Sequence, residues 1–396
     1  MRELYRESIR FFVSLKLTVW LLVLSALLVF FATLDQVHLG IWAVQEKWFK
    51  SLIVLHQIKG FPVPIFPGGY FIGGLLLVNL VLAHLKRFAF SWKKAGIQLV
   101  HGGLILMLLG ELFTGLFQEE YQLQLNEGQT RNYSQSWRYH ELAVVDTTSP
   151  SEDVVTVIPE SRLTRETDIQ VPALPFRLVP RSYYPNATLV MKDQLPAGQL
   201  AVENLATTGL GPRFAVTPME VTYDPAKKNW PAAFVEVVSA EGSLGVFLVS
   251  SLFTDPESFT YANHTWRLSL RPERAYKPYS LTLLKVTHDV YAGTDIPKNF
   301  SSRIRLTNPE GKEDREVLIY MNNPLRYQGL TFYQYQMDAA KAMTVLQVVR
   351  NPSWLIPYIS CLLMTLGLLW QFSAHLLAFF RKRAAVPAAS ASPRSA

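Results

Sequence analysis

Four long apolar segments constrain this chain more than any other feature of its sequence. The first, residues 17–34 (LTVWLLVLSALLVFFATL), contains no charged residue, and further apolar segments cover residues 70–85, 95–117 and 354–380. A helix that crosses the hydrocarbon core of a bilayer needs about 20 predominantly apolar residues. The segments therefore predict four transmembrane helices. Charged residues make up only 17% of the chain, which is low for a water-soluble protein and supports an integral membrane protein.

Basic residues mark one side of the predicted membrane region. They precede the first segment, connect the second to the third, and follow the fourth: Arg2, Arg6, Arg10 and Lys16; Lys86, Arg87, Lys93 and Lys94; Arg381, Lys382 and Arg383. Short connections rich in Lys and Arg stay in the cytoplasm. We therefore expect both termini to be cytoplasmic, with residues 381–396 as a basic, disordered tail and residues 118–353 outside.

The pattern changes between residues 118 and 353. Short runs of alternating or β-branched residues, such as ELAVVD, LGVFLV and EVLIYM, are separated by Pro, Gly, Asn and Asp. This pattern is typical of strands and turns without crossover helices. The sequence thus predicts three helices in residues 1–117, a large all-β extracytoplasmic domain at 118–353, built as a sandwich or open barrel, and a fourth helix at 354–380.

Several functional classes are excluded by absent motifs. The chain has a single cysteine, Cys361, so it cannot form a disulfide framework or a C-x-x-C thiol pair by itself. It contains no G-x-S-x-G, H-E-x-x-H, P-loop or G-x-G-x-x-G motif. The net charge of +7 is not gathered into one basic domain and has no recognition motif beside it. We expect no nucleic-acid partner.

His101 is the most informative polar residue of the membrane segments. It follows Ala95 by six residues, which places it about 9 Å inside the third helix, within the apolar layer. An ionisable side chain at that depth indicates a functional site, and a neutral imidazole is a typical axial ligand of haem iron. Gly102 and Gly103 leave room for a flat macrocycle or for a close helix contact. A histidine that merely bonds to a neighbouring carbonyl is the alternative.

The other histidines give weaker signals. His84 ends the second apolar segment, across the short basic connection from His101, and is a weaker candidate ligand. We expect His38 and His56 to be solvated in the first outer loop. His140, His264 and His288 lie far apart in the β-rich region, where histidines are more often surface or core residues than ligands.

Residues 289–338 carry a specific pattern. The runs DVYAGTDIPKNFSSRIRL and REVLIYMNNPLRYQGLTFYQYQMD resemble the signature of the ResB family, P-K-x-F-x-S followed by N-x-P-L-x-Y-x-G-x-x-F-Y-Q. The matching positions are Pro297, Lys298, Phe300, Ser302, Asn322, Pro324, Leu325, Tyr327, Gly329, Phe332, Tyr333 and Gln334. The order of membrane segments and the His101 segment are also similar to that family.

This resemblance implies a role in system II cytochrome c biogenesis in the bacterial inner membrane. It implies that His101 is an axial ligand of haem b, which is carried or presented as a substrate, and that the second axial ligand comes from a partner protein. The haem would be delivered outside the membrane to C-x-x-C-H apocytochrome c, and membrane lipid would surround the helices.

The resemblance also implies a missing partner. The nine tryptophans are scattered, so the chain lacks the tryptophan-rich motif of the partner protein CcsA. We expect a subunit of a haem lyase that is inactive without a CcsA-like protein. Two alternatives stay open: a membrane-anchored scaffold or sensor without haem, and a dihaem membrane oxidoreductase that uses His101 and His84.

Overall fold

The chain folds into two units, which are described separately. The computed structural model describes residues 2–58, 61–87, 91–92, 94–196, 198, 200–222, 227–291, 293, 297–338 and 342–384. Unit 1 comprises Met1–Gln118 and Asn351–Ala396, and unit 2 comprises Glu119–Arg350. Lys93 of the second basic cluster and residues 385–396 of the predicted tail lie outside the described residues.

Six α-helices and seventeen strands are assigned along the described chain. The helices are α1 (Arg2–Phe12), α2 (Leu15–Val44), α3 (Gly69–Arg87), α4 (Ala95–Phe117), α5 (Glu160–Leu163) and α6 (Ile356–Ala384). The strands are β1 (Ile53–Ile58), β2 (Phe61–Pro67), β3 (Glu119–Asn126), β4 (Thr130–Asp146), β5 (Val154–Pro159), β6 (Arg177–Tyr184), β7 (Ala187–Met191), β8 (Phe214–Pro218), β9 (Ala232–Ser239), β10 (Gly242–Ser250), β11 (Glu257–Tyr261), β12 (His264–Val290), β13 (Pro297–Asn308), β14 (Glu313–Tyr320), β15 (Leu325–Tyr327), β16 (Leu330–Asp338) and β17 (Met343–Arg350).

Unit 1 contains the four predicted membrane helices. Four helices are long and apolar enough to cross a membrane: Leu15–Phe49, Gly69–Lys86, Ala95–Phe117 and Ile356–Arg383. The prediction of four transmembrane helices is therefore confirmed. Helix α2, the first of these four, continues well past residue 34. It has a break at Gly40 (φ 76°) and is followed by a π-helical turn at Gln45–Phe49.

The expectation that His38 lies in an outer loop is wrong, because α2 is longer than predicted. This residue lies in α2 and not in a loop. The helix continues past Asp35 because the Asp35 carboxylate accepts hydrogen bonds from Lys47 Nζ (2.6 Å) and Trp48 Nε1 (2.8 Å). His56 lies in strand β1, which pairs with β2 in an antiparallel hairpin.

Asn79 joins three parts of unit 1. Its side chain is only 2% exposed, and its Nδ2 donates to the Phe12 carbonyl at 2.6 Å. Its Oδ1 accepts a hydrogen bond from Thr18 Oγ1 at 2.7 Å. Because a buried amide must be hydrogen-bonded, these contacts hold α3 against the connection between α1 and α2.

Unit 2 is a large all-β domain, as predicted. Its main sheet has the order β14-β13-β12-β4-β3-β17-β16-β15, with β11 beside β12 and β5 beside β4. The sheet curls around an apolar core that includes Leu125, Leu283, Ile304, Phe332 and Leu346. A separate sheet, β10-β9-β6, covers a second core together with the outer halves of β4 and β12. The domain thus combines a nearly closed curled sheet with a sandwich.

Candidate functional site

The two membrane histidines singled out by the sequence lie side by side. His84 is one turn before the end of α3, and His101 is two turns after the start of α4. The short connection between these helices brings both residues to the same level. The centroids of the two imidazole rings are 6.0 Å apart, and the rings make an angle of 73°. Both side chains are half-buried.

A pair of imidazoles at this separation limits the chemistry of the site. An imidazole nitrogen is the donor that haem iron takes at an axial position. Bonds of about 2 Å from one nitrogen of each ring to a shared metal would keep the rings at a comparable separation. Among the described residues no group of three or more His, Cys, Asp and Glu side chains could hold a metal ion.

The two glycines after His101 have different roles. A Cβ atom at Gly103 would lie 2.6 Å from Met364 Cγ and 2.9 Å from the Ser360 carbonyl oxygen of α6. A Cβ atom at Gly102 would meet no heavy atom within 4 Å. Gly103 therefore packs two helices together, whereas Gly102 leaves open space next to His101. The sequence had left both roles open for both residues.

The contact between α4 and α6 uses glycines that recur every seventh residue. Gly96, Gly103 and Gly110 are buried in α4, and a Cβ atom at Gly96 would lie 2.7 Å from the Gly367 carbonyl oxygen. Small residues at such spacing let helix backbones approach closely in a membrane. Helix α6 therefore covers Gly103 and Gly110 within this chain.

The remaining histidines are not brought into the site. His140 is 4% exposed, and burial, together with the charge of Lys228, lowers its pKa to about 4. His264 Nδ1 lies 2.7 Å from an Asp146 carboxylate oxygen. His288 stacks on Phe300 with centroids 4.9 Å apart. These three histidines have different surroundings within unit 2.

Two signature positions, Ser302 and Gln334, lie in one hydrogen-bonded cluster of unit 2. Ser302 Oγ on β13 lies 2.7 Å from Gln334 Oε1 on β16 and 2.9 Å from Thr344 Oγ1 on β17. Gln334 Nε2 donates to Thr344 Oγ1 at 2.9 Å. Since β13 and β16 stand near opposite ends of the strand order, these bonds join the two ends of the curled sheet. We call Ser302, Gln334 and Thr344 the seam residues.

Other signature positions fit the same role. Phe332 and Leu325 are buried in the core of the curled sheet, and Asn308 Nδ2 donates to the Tyr327 hydroxyl at 2.8 Å. Asn322 and Gly329 have φ angles of 62° and 76° at the turns beside β15. The side chains of Pro297 and Lys298 lie outside the described residues.

Comparison with known proteins finds a match over a segment that contains two of the three seam residues, Ser302 and Gln334. The sequence model of the ResB-like family matches residues 258–342. Protein NrfI of Wolinella succinogenes is 33% identical over 104 residues, which is 26% of this chain. Residues 258–342 are thus similar to the ResB-like family. The chain covers only 12% of the length of NrfI. The ResB-like match includes Ser302 and Gln334 but not His84 or His101, so the histidine pair rests on its own geometry.

Proposed function

We propose that this ResB-like chain is a membrane subunit of cytochrome c biogenesis that binds haem b at His101 and His84. The observation that carries the proposal is the contact of the two imidazole rings, with centroids 6.0 Å apart, on membrane helices α3 and α4. Gly102 adds open space next to His101. The ResB-like match of residues 258–342 supports a role in cytochrome c biogenesis, and the histidine pair supports haem as the ligand.

Haem is the substrate of this subunit. Its vinyl groups supply the bonds to the two thiols of a C-x-x-C-H apocytochrome c. This chain has one cysteine and no C-x-x-C-H motif, so its own contribution is to bind and orient the macrocycle. His101 is the principal ligand and His84 the candidate for the opposite side. An apolar, water-poor site keeps solvent away from the iron and influences its redox potential.

The attachment step requires a CcsA-like partner in this proposal. The experiment uses cells without a native maturation pathway and a C-x-x-C-H reporter. Covalent haem on the reporter is expected when this chain and the partner are expressed together, and not with either alone. Covalent haem with this chain alone would refute the half-enzyme assignment.

The proposed orientation places both termini in the cytoplasm and unit 2 outside the bacterial inner membrane. It follows from the three basic clusters. The turn between β9 and β10 at Gly242 is an exposed place for a reporter, since no heavy atom lies within 4 Å of a Cβ atom there. A reporter that works only outside should be active at Gly242 and silent after Arg383. The reverse result would invert the orientation.

A dihaem oxidoreductase is the second candidate, because one chain supplies two adjacent imidazoles. In the part of the chain that the structure describes, His84 and His101 are the one pair of histidine rings in contact. A dihaem protein needs a second pair. A ratio of one haem per chain supports the maturation subunit, and a ratio of two supports the oxidoreductase. A colourless protein would exclude both haem-binding functions and favour the membrane-anchored scaffold without haem.

A further inference from the structure

The connection between α2 and α3 forms an apolar hairpin that no part of the proposed function uses. It pairs β1 with β2, and most of its large apolar side chains are exposed, including Leu55, Ile58 and Phe61 at 49%, 50% and 72%. Residues 59–60 at its tip lie outside the described residues. Exposed apolar surface of this extent on a connecting segment indicates a contact with lipid or protein.

The base of the hairpin is fixed to the end of a membrane helix. Phe66 of β2 lies 6.0 Å from Phe31 of α2 and 6.1 Å from Trp48, measured between ring centroids. Gly68 N donates to the Leu52 carbonyl oxygen at 2.9 Å, which closes the base. Phe31 lies three residues before the end of the uncharged segment 17–34. The base is therefore at the level where aromatic side chains meet the membrane surface.

The two edges of the hairpin differ in polarity. Strand β2 reads FPVPIFP and has no polar side chain, whereas β1 contains His56 and Gln57. Pro62 and Pro64 stand opposite Gln57 and Leu55 in the ladder. Proline has no N–H group to donate, so it suits the positions of a strand that point away from the partner strand. The outer edge of β2 therefore lacks two donors that an ordinary strand would expose.

An edge without donors favours one kind of neighbour. An unsatisfied N–H group is costly in an apolar medium, so the absence of two of them makes contact with lipid easier. The absence of these two N–H donors also prevents a strand of another protein from pairing with this edge, because strand addition depends on main-chain hydrogen bonds. We propose that the hairpin is an interfacial anchor, with the β2 edge against bilayer lipid and the β1 edge towards water.

Single-cysteine labelling tests this orientation with matched positions. Cys361 is the only cysteine and is exposed, so Cys361→Ser gives a clean background for the full chain in nanodiscs of phosphatidylethanolamine and phosphatidylglycerol. Val63 and His56 are direct cross-strand partners and therefore lie on the same face. Val63→Cys and His56→Cys place a nitroxide label on opposite strands at the same distance from the base.

The measured quantity is how often the nitroxide label collides with each of two agents. Oxygen concentrates in lipid, whereas a nickel chelate is soluble in water. We expect a severalfold higher oxygen-to-nickel ratio at position 63 than at position 56. Equal, nickel-dominated accessibility at both positions would overturn the proposal. Protection of position 63 from both agents would also overturn it, since it would indicate a protein neighbour. Phe61→Cys and Ile58→Cys, another cross-strand pair, repeat the comparison if the first pair does not fold.

Discussion

The packing of α4 against α6 gives a sharp prediction for two adjacent residues. Gly103→Ala introduces a methyl group 2.6 Å from Met364 Cγ and 2.9 Å from the backbone carbonyl oxygen of Ser360. The methionine side chain can move, but the carbonyl belongs to the α6 backbone, so the helices must separate. Gly102→Ala adds the same methyl group where no heavy atom lies within 4 Å.

The two substitutions should change stability in opposite directions. Replacing glycine by alanine in a helix interior favours folding by about 1 kcal/mol. Overpacking a close contact costs roughly 1–3 kcal/mol, so the net effect of Gly103→Ala is a loss of about 1 kcal/mol. In a unit of this size, 1 kcal/mol corresponds to a melting shift of about 2–4 °C. Gly103→Ala should therefore lower the melting temperature, and Gly102→Ala should raise it.

Thermal melting of the full chain in detergent, followed by the loss of the monodisperse peak in size-exclusion chromatography, measures the difference. The two variants share composition, helix and depth, so each serves as the control for the other. A Gly103→Ala protein that melts at or above the wild-type temperature would refute the close contact between α4 and α6. Equal destabilisation by both variants would refute the distinction between the packed and the open glycine.

The other predictions concern buried polar groups. Ser302→Ala leaves Gln334 with one partner fewer, so we expect a loss of about 1–3 kcal/mol and faster hydrogen exchange at both ends of the curled sheet; unchanged exchange would contradict the seam. Asn79→Ala should cost a similar amount and lower the yield of folded protein in detergent. His140 has a folded pKa of about 4 against an unfolded value of about 6.5. Its neutral form is the buried one, so stability should be complete above pH 6.5 and fall as pH decreases towards 4. Hydrogen exchange of β4 at pH 7 and pH 5, corrected for the intrinsic rate, measures this effect, and His140→Gln should reduce it.

The membrane helices could be predicted because length and lack of charge decide whether a segment can cross a bilayer. The end of α2 could not be predicted in the same way. Asp35 indicates a boundary in the sequence, but its carboxylate is satisfied by Lys47 and Trp48, so the helix continues. The hairpin at 53–67 was missed because its strands are almost uniformly apolar and show no alternation.

The histidine pair was partly visible in the sequence. The short connection after His84 indicates antiparallel helices, which bring His84 and His101 to one end, but only the rotation of each helix decides whether the rings meet. The contact of α4 with α6 joins segments about 250 residues apart in the sequence, and no local pattern reports such a contact. The signature around Ser302 and Gln334 was recognised by resemblance, whereas its role in closing the sheet depends on three strands that only the fold brings together.

The visible spectrum of the purified chain tests the central claim most directly. We expect a Soret band in the wild-type protein, a loss of about tenfold or more in bound haem in His101→Ala, and partial recovery with added imidazole, which can occupy the vacated axial position. His84→Ala should retain more haem than His101→Ala. His375→Ala is the control, because His375 Nε2 lies 2.7 Å from Gln371 Nε2 on α6, and it should keep the full band. A full Soret band in His101→Ala would contradict the assignment of His101 as the haem ligand.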